Sequence, residues 1–182
     1  QRLQVIVLDK TGTVTSGQPA VTDVIAWPTT ARDLYHSESN LEADAVLRLA
    51  AGIESGSEHP IGQAIVAAAR ARRIDAPVPE YVEAIPGYGA RGRVDGRQVY
   101  VGNTRLMERE GLDIEAIRDI AESLQKQAKT VILVAADERL VGILAVADVI
   151  KLDALEAVRR LQHMGLQLMM ITGDNARTAQ AV

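Results

Sequence analysis

Apolar positions recur every second residue in some stretches and every three or four in others, and the change of period divides the chain into elements. Residues 2–9 form an apolar run that predicts a buried strand ending in Asp9. Residues 13–17 are a polar link, 21–27 alternate weakly as in an edge strand, and 29–40 read as a loop. Residues 41–55 put Ala43, Val46, Leu47, Ala50 and Ala51 on one helical face, with Asn40 placed to cap the start. Pro60 suits the first position of a second helix, which runs to 73. Short strands follow at 81–85, 91–94 and 98–101, the last two joined through Asp95-Gly96, a strong hairpin signal. Helices are predicted over 104–110 and 113–127. A second hairpin pairs 130–135 with 140–147 around Asp137-Glu138. An amphipathic helix over 152–164 stops at Gly165, a buried strand covers 166–171, and a helix begins at Asn175.

These elements sort into two kinds. The first strand and the tail from 140 have the character of a parallel α/β sheet, whereas the middle reads as an inserted α+β unit. The expected division is 1–17, 18–128 and 129–182, with the outer segments forming one domain and the middle another. With 182 residues the chain is long enough for one large or two small cores. Without cysteine there is no disulfide and no thiolate metal site, and a net charge of −4 argues against a general nucleic-acid binder. The apolar stretch 131–150 is broken by Asp137-Glu138-Arg139, so it reads as two strands rather than the run of about 20 residues that a membrane helix needs. The start lacks the features of a secretory leader. Both ends read as cuts within a strand and a helix.

The candidate chemistry begins where the first strand ends, at Asp9-Lys10-Thr11-Gly12-Thr13. A carboxylate at the C-terminal end of a parallel strand lies where open α/β sheets bind ligands, and it can attack a phosphoryl group as a nucleophile. Thr172-Gly173-Asp174-Asn175 follows the strand 166–171 in the same way. Its hydroxyl and backbone amides would sit beside Asp9, ready to hold a transferring phosphoryl group. Ser57-Glu58-His59-Pro60 opens the second helix. Gly87-Tyr88-Gly89-Ala90-Arg91-Gly92 matches the spacing of a dinucleotide fingerprint, but a hairpin follows it rather than a helix.

Taken together, the pentad at Asp9, the Thr172 motif and the Ser57–Pro60 tetrad resemble those of heavy-metal-transporting P-type ATPases of the copper-exporter kind. The resemblance covers nearly the whole chain. It implies a haloacid-dehalogenase-like parallel α/β phosphorylation domain, present in part, with an inserted α+β nucleotide-binding domain built on an antiparallel sheet flanked by helices. It implies that Asp9 becomes phosphorylated, with Lys10, Thr11, Thr172, Gly173 and Asp174 around it. It also implies Mg²⁺ held by Asp9 and the backbone of Thr11, and ATP contacted by Glu54, His59, Gly87, Gly89, Gly102 and Asn103. The phosphatases of the wider fold family carry a second Asp two residues after the nucleophile. Thr11 stands there and cannot act as a general acid or base near neutral pH, so a phosphoenzyme should persist. Asp148-Val149-Ile150-Lys151 resembles the family's hinge where the chain returns to the phosphorylation domain, although Val149 replaces the usual Pro; it equally reads as a cap for the following helix.

The expected function is the ATP-binding, aspartyl-phosphate-forming region of a pump that exports a heavy-metal ion, Cu(I) by preference, as the cytoplasmic part of an integral membrane protein. The implied partners are ATP, the ion bound by a membrane domain, and the pump's other domains, with no nucleic acid. A stand-alone phosphatase of the same fold and a non-catalytic nucleotide-binding module are the alternatives. The family's Gly-Asp-Gly-x-Asn-Asp motif is absent from this sequence, so the chain alone is expected to bind nucleotide but to phosphorylate itself poorly.

Overall fold

A computed structural model describes residues 4–27, 39–151 and 153–171, without the side chains of Lys10, Thr11, 39–41 and Ile171. Two sheets organise them. A parallel pair joins β1 (Val5–Asp9) to β8 (Gln167–Ile171). A six-stranded antiparallel sheet has the order β2-β7-β6-β5-β4-β3, from β2 (Thr15–Ala26), β7 (Arg139–Ile150), β6 (Thr130–Ala136), β5 (Arg97–Gly102), β4 (Gly89–Val94) and β3 (Tyr81–Ile85). A π-helical turn, Lys10–Val14, links β1 to β2.

The six-stranded sheet is buried on both faces, and the alternation of side chains shows how. On one face lie α1 (Ser39–Ile53) and α2 (Pro60–Ala71). Val46, Leu47, Ala50, Ile53, Ile65 and Ala69 of these helices pack with Val99, Val101, Val134 and Leu144 of the sheet. On the other face, α3 (Thr104–Arg109) and α4 (Arg118–Lys126) bring Leu106, Met107, Ala121 and Leu124 against Leu133, Ala135, Ile143 and Ala145. Neighbouring residues of β6 and β7 therefore enter opposite cores. That is why both strands are apolar without interruption rather than alternating. The helical face predicted for α1 is the face that is buried: Leu47, Ala50 and Ala51 are 0% exposed.

Turn chemistry closes the hairpins as predicted. Asp95 (φ 51°) and Gly96 (φ 74°) join β4 to β5, and Asp137 (φ 49°) and Glu138 (φ 64°) join β6 to β7, the left-handed pairs that match strand twist. Arg97 Nε (2.7 Å) and Gln98 N (3.2 Å) both donate to the Asp137 carboxylate, and the Arg97 bond holds its pKa below the ordinary value.

Several expectations shift. The boundary expected at 128 does not fall at a sheet edge, because the hairpin of β6 and β7 supplies central strands of the antiparallel sheet. That sheet draws its residues from 15 to 150. The helix expected over 113–127 is a 3₁₀ turn, Glu115–Ile117, followed by α4. Asn40 lies inside α1, which begins at Ser39. β1 and β8 were expected to be buried, yet Val5, Val7 and Met169 are 39%, 49% and 60% exposed. Helices that cover both faces of a parallel pair are not among the described residues, apart from α5 (Ala154–His163). No helix among the described residues is long and apolar enough to cross a membrane.

Leu47 sits at the centre of the α1 face and has no exposed surface. Leu47→Ala is expected to destabilise the chain by about 2–5 kcal/mol, as deletion of a fully buried Leu side chain does. An unchanged urea midpoint would show that α1 does not anchor this core.

Candidate functional site

One cavity of about 440 Å³ is walled by three parts of the antiparallel unit and floored by β6. The turn from α1 into α2 supplies Glu54, Ser57, His59 and Gly62. The turn between β3 and β4 supplies Gly87, Tyr88 and Gly89, and the end of β5 supplies Gly102 and Asn103. Thr130, Val131 and Ile132 come from β6. All six residues expected to contact a nucleotide meet here. Ser57, Tyr88, Thr130 and Ile132 line the cavity too, and were not assigned to it from the sequence. Ser57 stands in the quoted tetrad and could have been included. No pattern marks Thr130 or Ile132, which reach the cavity only because β6 lies beside β5.

The polar wall is a short chain of hydrogen bonds. The Ser57 hydroxyl bonds to the Glu54 carboxylate and accepts from His59 N at 3.3 Å. Nδ1 of His59 accepts from Ile61 N at 3.2 Å, which caps α2. Capping therefore uses one ring nitrogen, so the neutral ring carries its proton on Nε2 and offers a ligand that donor. Burial raises the Glu54 pKa above the ordinary value, against the Ser57 bond and the His59 charge, which lower it. A half-buried carboxylate in a cleft, its pKa raised by burial, is a common mark of a binding site. Gly62 makes room for this wall, since a Cβ there would collide with the Glu54 carboxylate and the Ser57 hydroxyl.

The opposite wall depends on close backbone approach. Gly89 pairs with Gly102 across β4 and β5. A Cβ on Gly89 would strike the Val101 carbonyl, and one on Gly102 would strike the Tyr88 carbonyl. Gly89 also has φ +143°, which L side chains rarely adopt. Both glycines are thus required before any ligand arrives. Asn103 is likewise engaged: Oδ1 accepts from Leu106 N at 3.1 Å, and Nδ2 donates to the Gly87 carbonyl at 2.9 Å.

Asp9 lies elsewhere, at the end of β1 and opposite Ile171 in the parallel register. The segment Thr172-Gly173-Asp174 follows the same sheet end, and all three residues lie outside the described set. The turn after Asp9 is gripped by the end of β7. Lys151 Nζ donates to the Gly12 carbonyl at 2.6 Å, and Lys151 N to the Val14 carbonyl at 3.0 Å. The hydroxyls of Thr15 and Ser16 donate to Asp148. Asp148 therefore ties the outgoing strand to the returning one. It does not cap α5, whose N-cap residue is Asp153 and makes no side-chain cap bond.

The donor chemistry suits the implied groups. Asp9 is exposed and offers a hard oxygen of the kind Mg²⁺ takes together with phosphates and waters. No cluster of three or more His, Cys, Asp or Glu among the described residues could hold a metal by itself. The cavity has the size and the apolar lining with a few polar groups that suit a nucleobase.

Comparison with known proteins agrees with this geometry. A haloacid dehalogenase-like hydrolase model matches residues 3–182. The probable copper-exporting P-type ATPase V of Mycobacterium tuberculosis is 44% identical over all of this chain, which spans only 22% of that relative. Among solved structures, a zinc-transporting PIB-type ATPase in an E2.Pi state superimposes with a TM-score of 0.83 at 31% identity, over 98% of this chain and 27% of that one. The N-domain of HMA6, a copper-transporting P-type ATPase, matches with a TM-score of 0.55 at 29% identity, over 71% of this chain and 99% of that one. The chain belongs to the haloacid dehalogenase-like hydrolase family, and its relatives within that family are heavy-metal P-type ATPases.

Proposed function

We propose that the chain is the ATP-binding and aspartyl-phosphate-forming region of a P-type ATPase that exports a heavy-metal ion, Cu(I), across a membrane from its cytoplasmic side. The observation that carries this reading is the meeting of Glu54, His59, Gly87, Gly89, Gly102 and Asn103, from separate segments, around one cavity. Copper is favoured because the relative named for copper export is 44% identical over all of this chain.

In this reading the adenine enters against Glu54 and His59. Glu54 accepts a hydrogen bond from the base, and His59 presents Nε2–H or its ring face. The bare backbone at Gly87, Gly89 and Gly102 lets the nucleotide lie close. At the other site a carboxylate oxygen of Asp9 attacks the γ-phosphorus in line. A bond forms from that oxygen to phosphorus, the bond from phosphorus to the β–γ bridging oxygen breaks, and ADP leaves with that oxygen and its electron pair. Lys10, Thr11 and Thr172 steady the phosphoryl oxygens, together with the backbone amides of Gly173 and Asp174. Mg²⁺, held by Asp9 and the backbone of Thr11, would neutralise phosphate charge. Thr11 cannot activate water, so the phosphoenzyme lasts long enough to drive ion movement in the other domains.

Three outcomes are expected. In the longer protein, γ-labelled ATP should leave an alkali-labile phosphate on the chain that Asp9→Asn abolishes, while the isolated chain stays unlabelled; rapid release of phosphate from p-nitrophenyl phosphate by the chain alone would point to a phosphatase instead. His59→Ala should weaken ATP binding to the chain by about tenfold, the scale of one lost hydrogen bond or ring contact, read by calorimetry; an unaltered affinity would remove His59 from the site. The third concerns Glu54. Because its folded pKa is raised, its contribution to stability is full below the ordinary value of 4.5 and is lost as pH rises through the raised value. Glu54→Gln should therefore flatten the fall in urea midpoint as pH rises from the ordinary value of 4.5 through the raised one. Parallel pH profiles for the two chains would contradict the assignment.

A further inference from the structure

We propose that Arg105, which belongs to none of the motifs above, supplies the positive charge that draws the phosphate chain of a nucleotide in this cavity, and so sets which way round the nucleotide lies. This rests on the reading of the cavity as an ATP site.

Among the described residues no Lys or Arg lines the cavity, and Glu54 is the acid in its lining. A polyanionic ligand is repelled where Glu54 lies and requires a cation elsewhere on the rim. Arg105 is placed to be that cation. It projects from α3, three residues beyond the end of β5. One terminal guanidinium nitrogen donates to the Gly87 carbonyl at 3.2 Å, and the guanidinium carbon lies 5.4 Å from the centroid of the Tyr88 ring. Gly87 and Tyr88 both line the cavity, so the charge sits directly behind its wall.

Both partners of Arg105 are neutral. Among the described residues it forms no ion pair with a carboxylate, whereas Arg48 meets Asp95, Arg91 meets Glu83 and Arg97 meets Asp137. Arg109 lies over the same ring at 5.6 Å, but it shares its charge with Glu110 at 4.0 Å. Among the described residues the charge of Arg105 is thus not neutralised. A guanidinium has five N–H donors in a fixed fork, and the Gly87 carbonyl and the ring face leave several of them open to a phosphate. Glu54 on one wall and Arg105 behind the other give the cavity a direction, with the base toward the carboxylate and the phosphates toward the guanidinium.

The test is calorimetric titration of the chain with ATP, ADP and adenosine at low and high salt, using the parent, Arg105→Gln and Arg105→Lys. Arg105→Gln should weaken ATP about fivefold and ADP less, with adenosine unchanged. High salt should erase the difference, and Arg105→Lys should recover part of it. Equal losses for ATP and adenosine would reduce Arg105 to a prop for the Gly87 turn and overturn the proposal, as would an unaltered ATP affinity. A parent chain that binds no ATP would overturn the ATP reading itself, which keeps the two failures apart.

Discussion

Strands β6 and β7 carry apolar side chains on both faces, so they are stable only with a helical layer on each side. Burying Leu133, Val134, Ile143 and Leu144 together fixes the middle of the antiparallel sheet. The outer strands follow by pairing, β5 and β4 on one side and β2 on the other. The cavity is a consequence of that order. β5 ends at Gly102 beside the start of β4 at Gly89, and β6 pairs with β5 on its other side.

The two walls of the cavity are held by different physics. One is a relay of side-chain hydrogen bonds through Glu54, Ser57 and His59, packed over Gly62. It leaves a carboxylate partly desolvated and therefore responsive to a donor. The other is a backbone contact between Gly89 and Gly102 that excludes any side chain, with Asn103 bonding to Gly87 behind it. A wall with a partly desolvated carboxylate stands with a wall of bare, closely paired backbone. This arrangement suits a base on one side and a close, sequence-independent approach on the other.

The nucleophile candidate is joined to this unit by paired crossings. β2 leaves the Asp9 turn at Thr15, β7 returns to it at Ile150, and the two residues lie opposite each other in the sheet. Asp148 receives hydroxyls from Thr15 and Ser16, and Lys151 holds the carbonyls of Gly12 and Val14. These bonds lie within a few residues of Asp9 in the chain.

Local rules sufficed for much of this. The period of α1, Pro60 at the start of α2, the Asp95-Gly96 turn and the Gly-x-Gly segment depend on neighbours in sequence, and each was legible there. Glu54, His59, Gly87, Gly89, Gly102 and Asn103 were marked by the family resemblance rather than by local rules, and the structure gathers them around one cavity. The hairpin of β6 and β7 was legible from its turn, but its place at the centre of the antiparallel sheet was not, because only pairing to β5 and β2 sets that. The same holds for Thr130 and Ile132 at the cavity, for the use of Asp148 as a tie rather than a cap, and for Arg105, an ordinary helical arginine in sequence. Their roles come from contacts between residues far apart in the chain. Local propensity cannot encode such contacts, because they exist only once the sheet has been assembled.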